Sequence, residues 1–158
     1  MRATLAEPFP CPWGQVALKL QARFDDKELE ARTRHVVSDL VCIWTAPLQG
    51  TLASSYEVYV IGKQTGDIEY ASYGAHAYVH NALYASARAL DDLLAEALDL
   101  GAFMRGYQQV NALHVHAPFE QVLRCFVGKV PSSARLDDEG YSEAKALHVA
   151  QSVGSRSA

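Results

Sequence analysis

The stretch Tyr56-Glu57-Val58-Tyr59-Val60-Ile61, followed by Gly62-Lys63-Gln64-Thr65-Gly66-Asp67 and then Ile68-Glu69-Tyr70-Ala71-Ser72-Tyr73, decides how the chain is read. Two runs rich in β-branched and aromatic residues flank a polar turn with two glycines. That pattern predicts a β-hairpin over residues 55–74. The alanine- and leucine-rich residues 77–100 follow at once. Val79, Leu83, Ala87, Leu90, Leu94, Ala97 and Leu98 mark the apolar side of a long helix, and Gly101 is placed to cap its end.

Upstream of the hairpin, Val16, Leu18, Leu20, Ala22 and Phe24 alternate with Ala17, Lys19, Gln21 and Arg23. This is the period of a strand with one buried face. Asp25 or Asp26 then caps a helix whose stripe is Leu29, Val36, Val37, Leu40, Val41 and Trp44, ended by Pro47. Downstream, residues 110–117 read as a fourth strand, Pro118 opens a short helix, and residues 142–153 form a last weak helix. The order β-α-β-β-α-β predicts an α+β fold of the ferredoxin-like kind, an antiparallel sheet with helices on one face. Residues 1–14, with Pro8, Pro10 and Pro12, read as an extended arm. Residues 15–130 form the single α+β domain, and 131–158 a polar loop and helix.

The 158 residues are 49% hydrophobic and 20% charged, ordinary values for a globular chain. Fourteen basic and eighteen acidic residues give a net charge of −4. Nucleic acid is a poor partner for such a surface, because phosphate neutralisation needs clustered Lys and Arg. No apolar run approaches the roughly 20 residues of a membrane span. Cys11, Cys42 and Cys125 are odd in number and widely spaced, so they do not read as a disulfide framework. Buried thiols in a cytoplasmic, reducing setting are the expectation.

No catalytic signature stands in the sequence. The glycines of the hairpin do not form a phosphate loop, and the paired carboxylates fall where solvated caps are expected. Cys125 follows a histidine-bearing segment, but its apolar neighbours point to burial. Histidine offers the one chemical pattern. His76 and His80 share a face of a helix, and His114 and His116 share a face of the predicted fourth strand. They frame one reading, a dimeric enzyme or a small-molecule or metal binder. No cofactor is assigned.

Tyrosine and acid frame the other reading. Tyr59 with Glu57, and Tyr70 or Tyr73 with Glu69, would stand on the open face of the hairpin. Tyrosine supplies large, rigid contact area with a polar tip. Adding Asp91, Asp92, Asp137, Asp138 and Glu139 gives an acidic binding surface. A small acidic binding protein of the inhibitor or immunity type follows as the expected function. It would occlude the active site of a protein partner such as a basic toxin or nuclease domain, with a homodimer as a further expected assembly.

Overall fold

The computed structural model describes residues 11–24, 26–45, 47–130, 136–137 and 141–154. Among the described residues every regular element is helical, and no strand is present. The α+β, ferredoxin-like expectation is therefore overturned. The helices are α1 (Pro12–Phe24), α2 (Glu30–His35), α3 (Leu48–Thr65), α4 (Ile68–Tyr84), α5 (Leu90–Gly106), α6 (Val110–Phe126) and α7 (Glu143–Gly154). A π-helix (Val36–Val41) and a 3₁₀ turn (Cys42–Trp44) continue α2. None of the described helices is long and apolar enough to cross a membrane.

The hairpin is a pair of helices, α3 and α4, and small side chains explain why. Thr51, Ser55, Val58 and Gly62 are the buried residues of α3, spaced four, three and four apart. Ala71, Gly74 and Ala75 lie among those of α4. A methyl group placed on Gly74 would lie 2.8 Å from the backbone nitrogen of Tyr59 and 2.7 Å from Val58 Cγ1. One on Gly62 would lie 2.7 Å from the backbone nitrogen of Ala71. The two helices thus close to backbone contact, which two bare Cα positions permit and larger residues would forbid. Of the predicted turn 62–67, residues 62–65 complete α3, and only Gly66 and Asp67 remain as the helix–helix connection. Gly66 takes φ +82° as the left-handed C-cap of α3, and Asp67 caps α4 by accepting a hydrogen bond from the Tyr70 backbone N–H at 3.4 Å.

At residues 15–24 and 110–117 the cause is that period-2 and period-3.6 patterns coincide over short runs. Residues 15–24, read as a strand, lie in α1. The helix expected to follow Asp26 is broken into α2, the π-helix and the 3₁₀ turn. The helix expected over 77–100 is split, because α4 stops at Tyr84 and Ser86 adopts φ +49° before α5 begins. Gly101 sits inside α5 rather than at a helix end. Residues 110–117 belong to α6, and Pro118 lies within that helix instead of opening one. The expected helix over 142–153 is present as α7. Of the expected arm, residues 1–10 lie outside the described residues, and Pro12 is the first residue of α1.

The chain divides into two compact units, Met1–Ala87 and Arg88–Ala158. In the first, the α3–α4 hairpin packs with α2 and the π-helix, and α1 lies on α2 and the π-helix. Cys11, Val37 and Cys42 form an apolar cluster there, with Ala17 and Leu18 of α1 against it. In the second, α5 and α6 form another helical hairpin, whose buried residues include Leu93, Leu94, Ala97, Met104 and Leu123.

Candidate functional site

The π-helix begins a buried polar cluster in the first unit. Six residues, Val36–Val41, take the wide turn, and the Cys42 backbone N–H reaches back five residues to the Val37 carbonyl. Wide turns of this kind are rare and recur at functional positions. The sequence Val-Val-Ser-Asp-Leu-Val places Asp39 in an otherwise apolar run, and the fold turns its carboxylate inward, with a side chain only 6% exposed.

Asp39 is ringed by donors. Ser55 Oγ donates to its Oδ1 at 2.7 Å, and Asn81 Nδ2 donates to the same oxygen at 3.3 Å. His35 Nδ1 lies 3.1 Å from Oδ2. Ser38 Oγ lies 2.8 Å from Oδ2 and 2.9 Å from the Arg34 carbonyl, so its single proton serves one of the two. Asn81 also donates to Thr51 Oγ1 at 3.0 Å, and Thr51 donates to the Leu48 carbonyl at 2.8 Å. His80 Nδ1 is 3.0 Å from Asn81 Oδ1. A carboxylate taken out of water needs such a ring of donors. The cluster joins the π-helix, α3 and α4 at one point.

Serine, histidine and aspartate occur here together, but their order is that of a structural knot. In a nucleophilic triad the histidine stands between serine and carboxylate. Here the carboxylate stands between Ser55 and His35, and Ser55 is fully buried. The arrangement fixes Ser55 and does not activate it. His35 faces two rings of α4, stacked on Tyr73 at 5.9 Å and edge-on to Tyr70 at 5.7 Å. Arg32 lies over the Tyr70 ring at 5.1 Å and pairs with Asp67 at 2.8 Å.

The second unit holds its own buried histidine. His116 Nε2 is 2.9 Å from the Ala97 carbonyl and 3.6 Å from Glu120 Oε1. Arg105 Nη1 reaches the two oxygens of Glu120 at 3.2 and 3.4 Å. Glu120 fills the space above Gly101, where an added methyl would collide with its Oε1. Burial pushes the His116 pKa below its ordinary value, assisted by the charge of Arg105. The bond to Ala97 and the charge of Glu120 pull the other way, and burial wins.

The residues expected to act together are dispersed. His76 and His80 do share α4, with ring centroids 6.0 Å apart. His114 and His116 lie on a helix rather than a strand, so two residues put them on different sides: His114 is exposed and His116 is fully buried. The two histidine pairs belong to different units, and among the described residues no group of three or more His, Cys, Asp or Glu is set to hold a metal.

The tyrosines form two sets. Tyr59 and Tyr78 lie beside Tyr56, at 5.6 and 5.3 Å, and Tyr70 and Tyr73 lie beside His35. Glu57 is exposed and paired with Arg34 at 3.0 Å, while the exposed Glu69 accepts from the Tyr73 hydroxyl at 3.4 Å. In the second unit Asp91 and Asp92 are exposed, with Asp91 3.6 Å from Lys129. Asp137 accepts from the Glu143 backbone N–H at 2.9 Å, which caps α7. Asp138 and Glu139 lie outside the described residues.

The feature missed in sequence is α1. As a helix, its Trp13, Val16, Leu20 and Phe24 fall on one stripe, three, four and four residues apart. Their exposures are 82%, 47%, 49% and 75%. Gly14 and Leu18, on another side, meet the Cys11–Val37–Cys42 cluster. Lys19 and Arg23 are exposed on the same helix, and α1 carries no acidic residue. The alternating period conceals this stripe, because it puts Trp13 and Val16 on opposite faces.

No family model, curated protein or solved structure matches the chain.

Proposed function

We propose that the chain is a cytoplasmic, non-enzymatic protein-binding module that docks through α1. The observation that carries this reading is the exposed stripe Trp13–Val16–Leu20–Phe24. Its spacing is that of helices that lay an apolar face into a partner's groove. Tryptophan and phenylalanine are apt anchors, since buried aromatic residues carry a large share of interface energy. Lys19 and Arg23 beside the stripe suit a groove with an acidic rim.

The narrower inhibitor reading, occlusion of a basic toxin or nuclease cleft, draws on the net charge of −4 and on exposed Glu57, Glu69, Asp91 and Asp92. Ion pairing of Glu57 with Arg34 softens that acidic surface. The two surfaces are separable by experiment. Partners are recovered from native lysate with the wild-type chain, with a Trp13→Ala/Phe24→Ala variant and with a Glu57→Lys/Glu69→Lys variant, and affinities for the recovered protein are then measured. Loss of about 2 kcal/mol per aromatic anchor, roughly 30-fold, is expected in the first variant, with an unchanged circular dichroism spectrum. A partner retained in full by the first variant and lost by the second would replace α1 docking with the acidic inhibitor surface. Sedimentation of the chain alone reads whether the stripe instead pairs two copies.

A further inference from the structure

Cys11 and Cys42 lie about 30 residues apart in sequence, yet they meet in one apolar cluster with Val37. Gly14 stands between them. A methyl group placed there would be 3.3 Å from Cys11 Sγ and 2.9 Å from Cys42 Sγ, so both sulfurs lie within 3.3 Å of the same point. Both thiols are free. Only a glycine leaves room for two sulfurs to approach there.

We propose that Cys11 and Cys42 are a reversible redox pair that a peroxide-class oxidant converts into a disulfide, tying the start of α1 to the 3₁₀ turn. The order of events follows from access. Cys11 is 7% exposed and Cys42 is fully buried, so the oxidant meets Cys11 first. Its sulfur attacks one peroxide oxygen, the O–O bond breaks, and the products are a Cys11 sulfenic acid and one water. Cys42 sulfur then attacks the Cys11 sulfur. The S–S bond forms, the S–O bond breaks, and the leaving hydroxide takes the Cys42 proton as a second water. Two thiols lose two electrons and two protons, and the peroxide is reduced to two waters. Burial, with the Cys11 thiol beside it, pushes the Cys42 thiol up to about 12. It therefore stays protonated and inert toward outside reagents, and reacts when the adjacent sulfur is activated.

The cross-link closes a loop that holds α1, α2 and the π-helix. Any effect on docking through the α1 stripe rests on the proposed function; the cross-link itself does not. Cys125, buried in α6 of the other unit, is an internal reference.

The test treats the full native chain with a small excess of hydrogen peroxide, quenches it, and labels the remaining thiols with a maleimide after denaturation. Mass spectrometry of the digest should show a Cys11–Cys42 linked peptide, with Cys125 still labelled and dithiothreitol restoring all three thiols. The thermal midpoint should rise by about 5–15 °C in the oxidised form and fall back on reduction. Cys42→Ser should abolish both the linked peptide and the midpoint rise. If that variant does not fold, Cys11→Ser serves the same purpose from the more exposed side. Full labelling of both cysteines after peroxide, a Cys11 sulfinic acid beside a free Cys42, or links only between separate chains would each overturn the proposal.

Discussion

Asp39 shows how much a single side chain can hold. Four side chains surround its carboxylate, and removing it takes the shortest bond from the Ser55 hydroxyl, which falls back on the Thr51 carbonyl at 3.1 Å, and leaves an Asn81 N–H short of an acceptor. Asp39→Ala should lower the unfolding free energy by about 3 kcal/mol in urea titration, because the groups deprived of a partner keep their desolvation penalty. Ser55→Ala should cost about 1 kcal/mol, and the double variant should cost less than the sum, since the residues share one bond. Glycines sort as clearly. Gly74→Ala meets the Tyr59 backbone, so it should destabilise by about 2 kcal/mol or more despite the better helix propensity of alanine. Gly50 lies in α3 with nothing within 4 Å of an added methyl, and Gly50→Ala should stabilise by about 0.5–1 kcal/mol. Equal effects from the two glycine variants would contradict the close approach of α3 and α4.

The helices themselves are set by punctuation and by small-residue faces. Gly66 ends α3 in the left-handed region, and the next residue, Asp67, caps α4. Gly66→Ala should destabilise by about 1 kcal/mol, read from the urea midpoint, because a Cβ is strained at that φ. Gly66 was visible in the sequence as a turn glycine and a turn does stand there, whereas Gly62, read as its fellow, lies inside α3. What joins at the turn was not legible from β-branched and aromatic content. Val58, Val60, Tyr56 and Tyr59 have strand propensity, but packing of Thr51, Ser55, Val58 and Gly62 against Ala71, Gly74 and Ala75 outweighs it. The four-three-four spacing of those small residues was the available signal for helix. In α1 the residues 16, 18, 20, 22 and 24 fit a strand as well as a helix, and only the helix unites Trp13 with Phe24.

At the scale of the molecule, each unit carries a buried polar centre, and that of the second unit ties stability to acid. His116 has its pKa lowered in the folded state from an ordinary value of 6.5. Above that value the imidazole is neutral both folded and unfolded, and it adds no pH dependence. As pH falls below about 6.5 the unfolded chain takes up the proton while the folded chain resists it, so stability is lost. Urea midpoints should therefore fall between pH 7 and pH 5, and His116→Gln should flatten that slope. An unchanged slope in the variant would show that His116 is not the group responsible.

Composition alone determined that this is an ordered chain with a sizeable apolar fraction, and that no segment is long and apolar enough for a membrane helix among the described residues. Gly66 marked the joint between α3 and α4, whereas Pro12, read as part of an extended arm, opens α1. The tertiary structure decided the rest. It chose helix over strand where two periods coincide, because choosing requires knowing which face is buried. It assembled Asp39 with Ser55 and Asn81, and Cys11 with Cys42, across separations that no local pattern encodes. Such meetings depend on how close two helices can come, and that distance is set by bare positions such as Gly14, Gly62 and Gly74 on both partners at once.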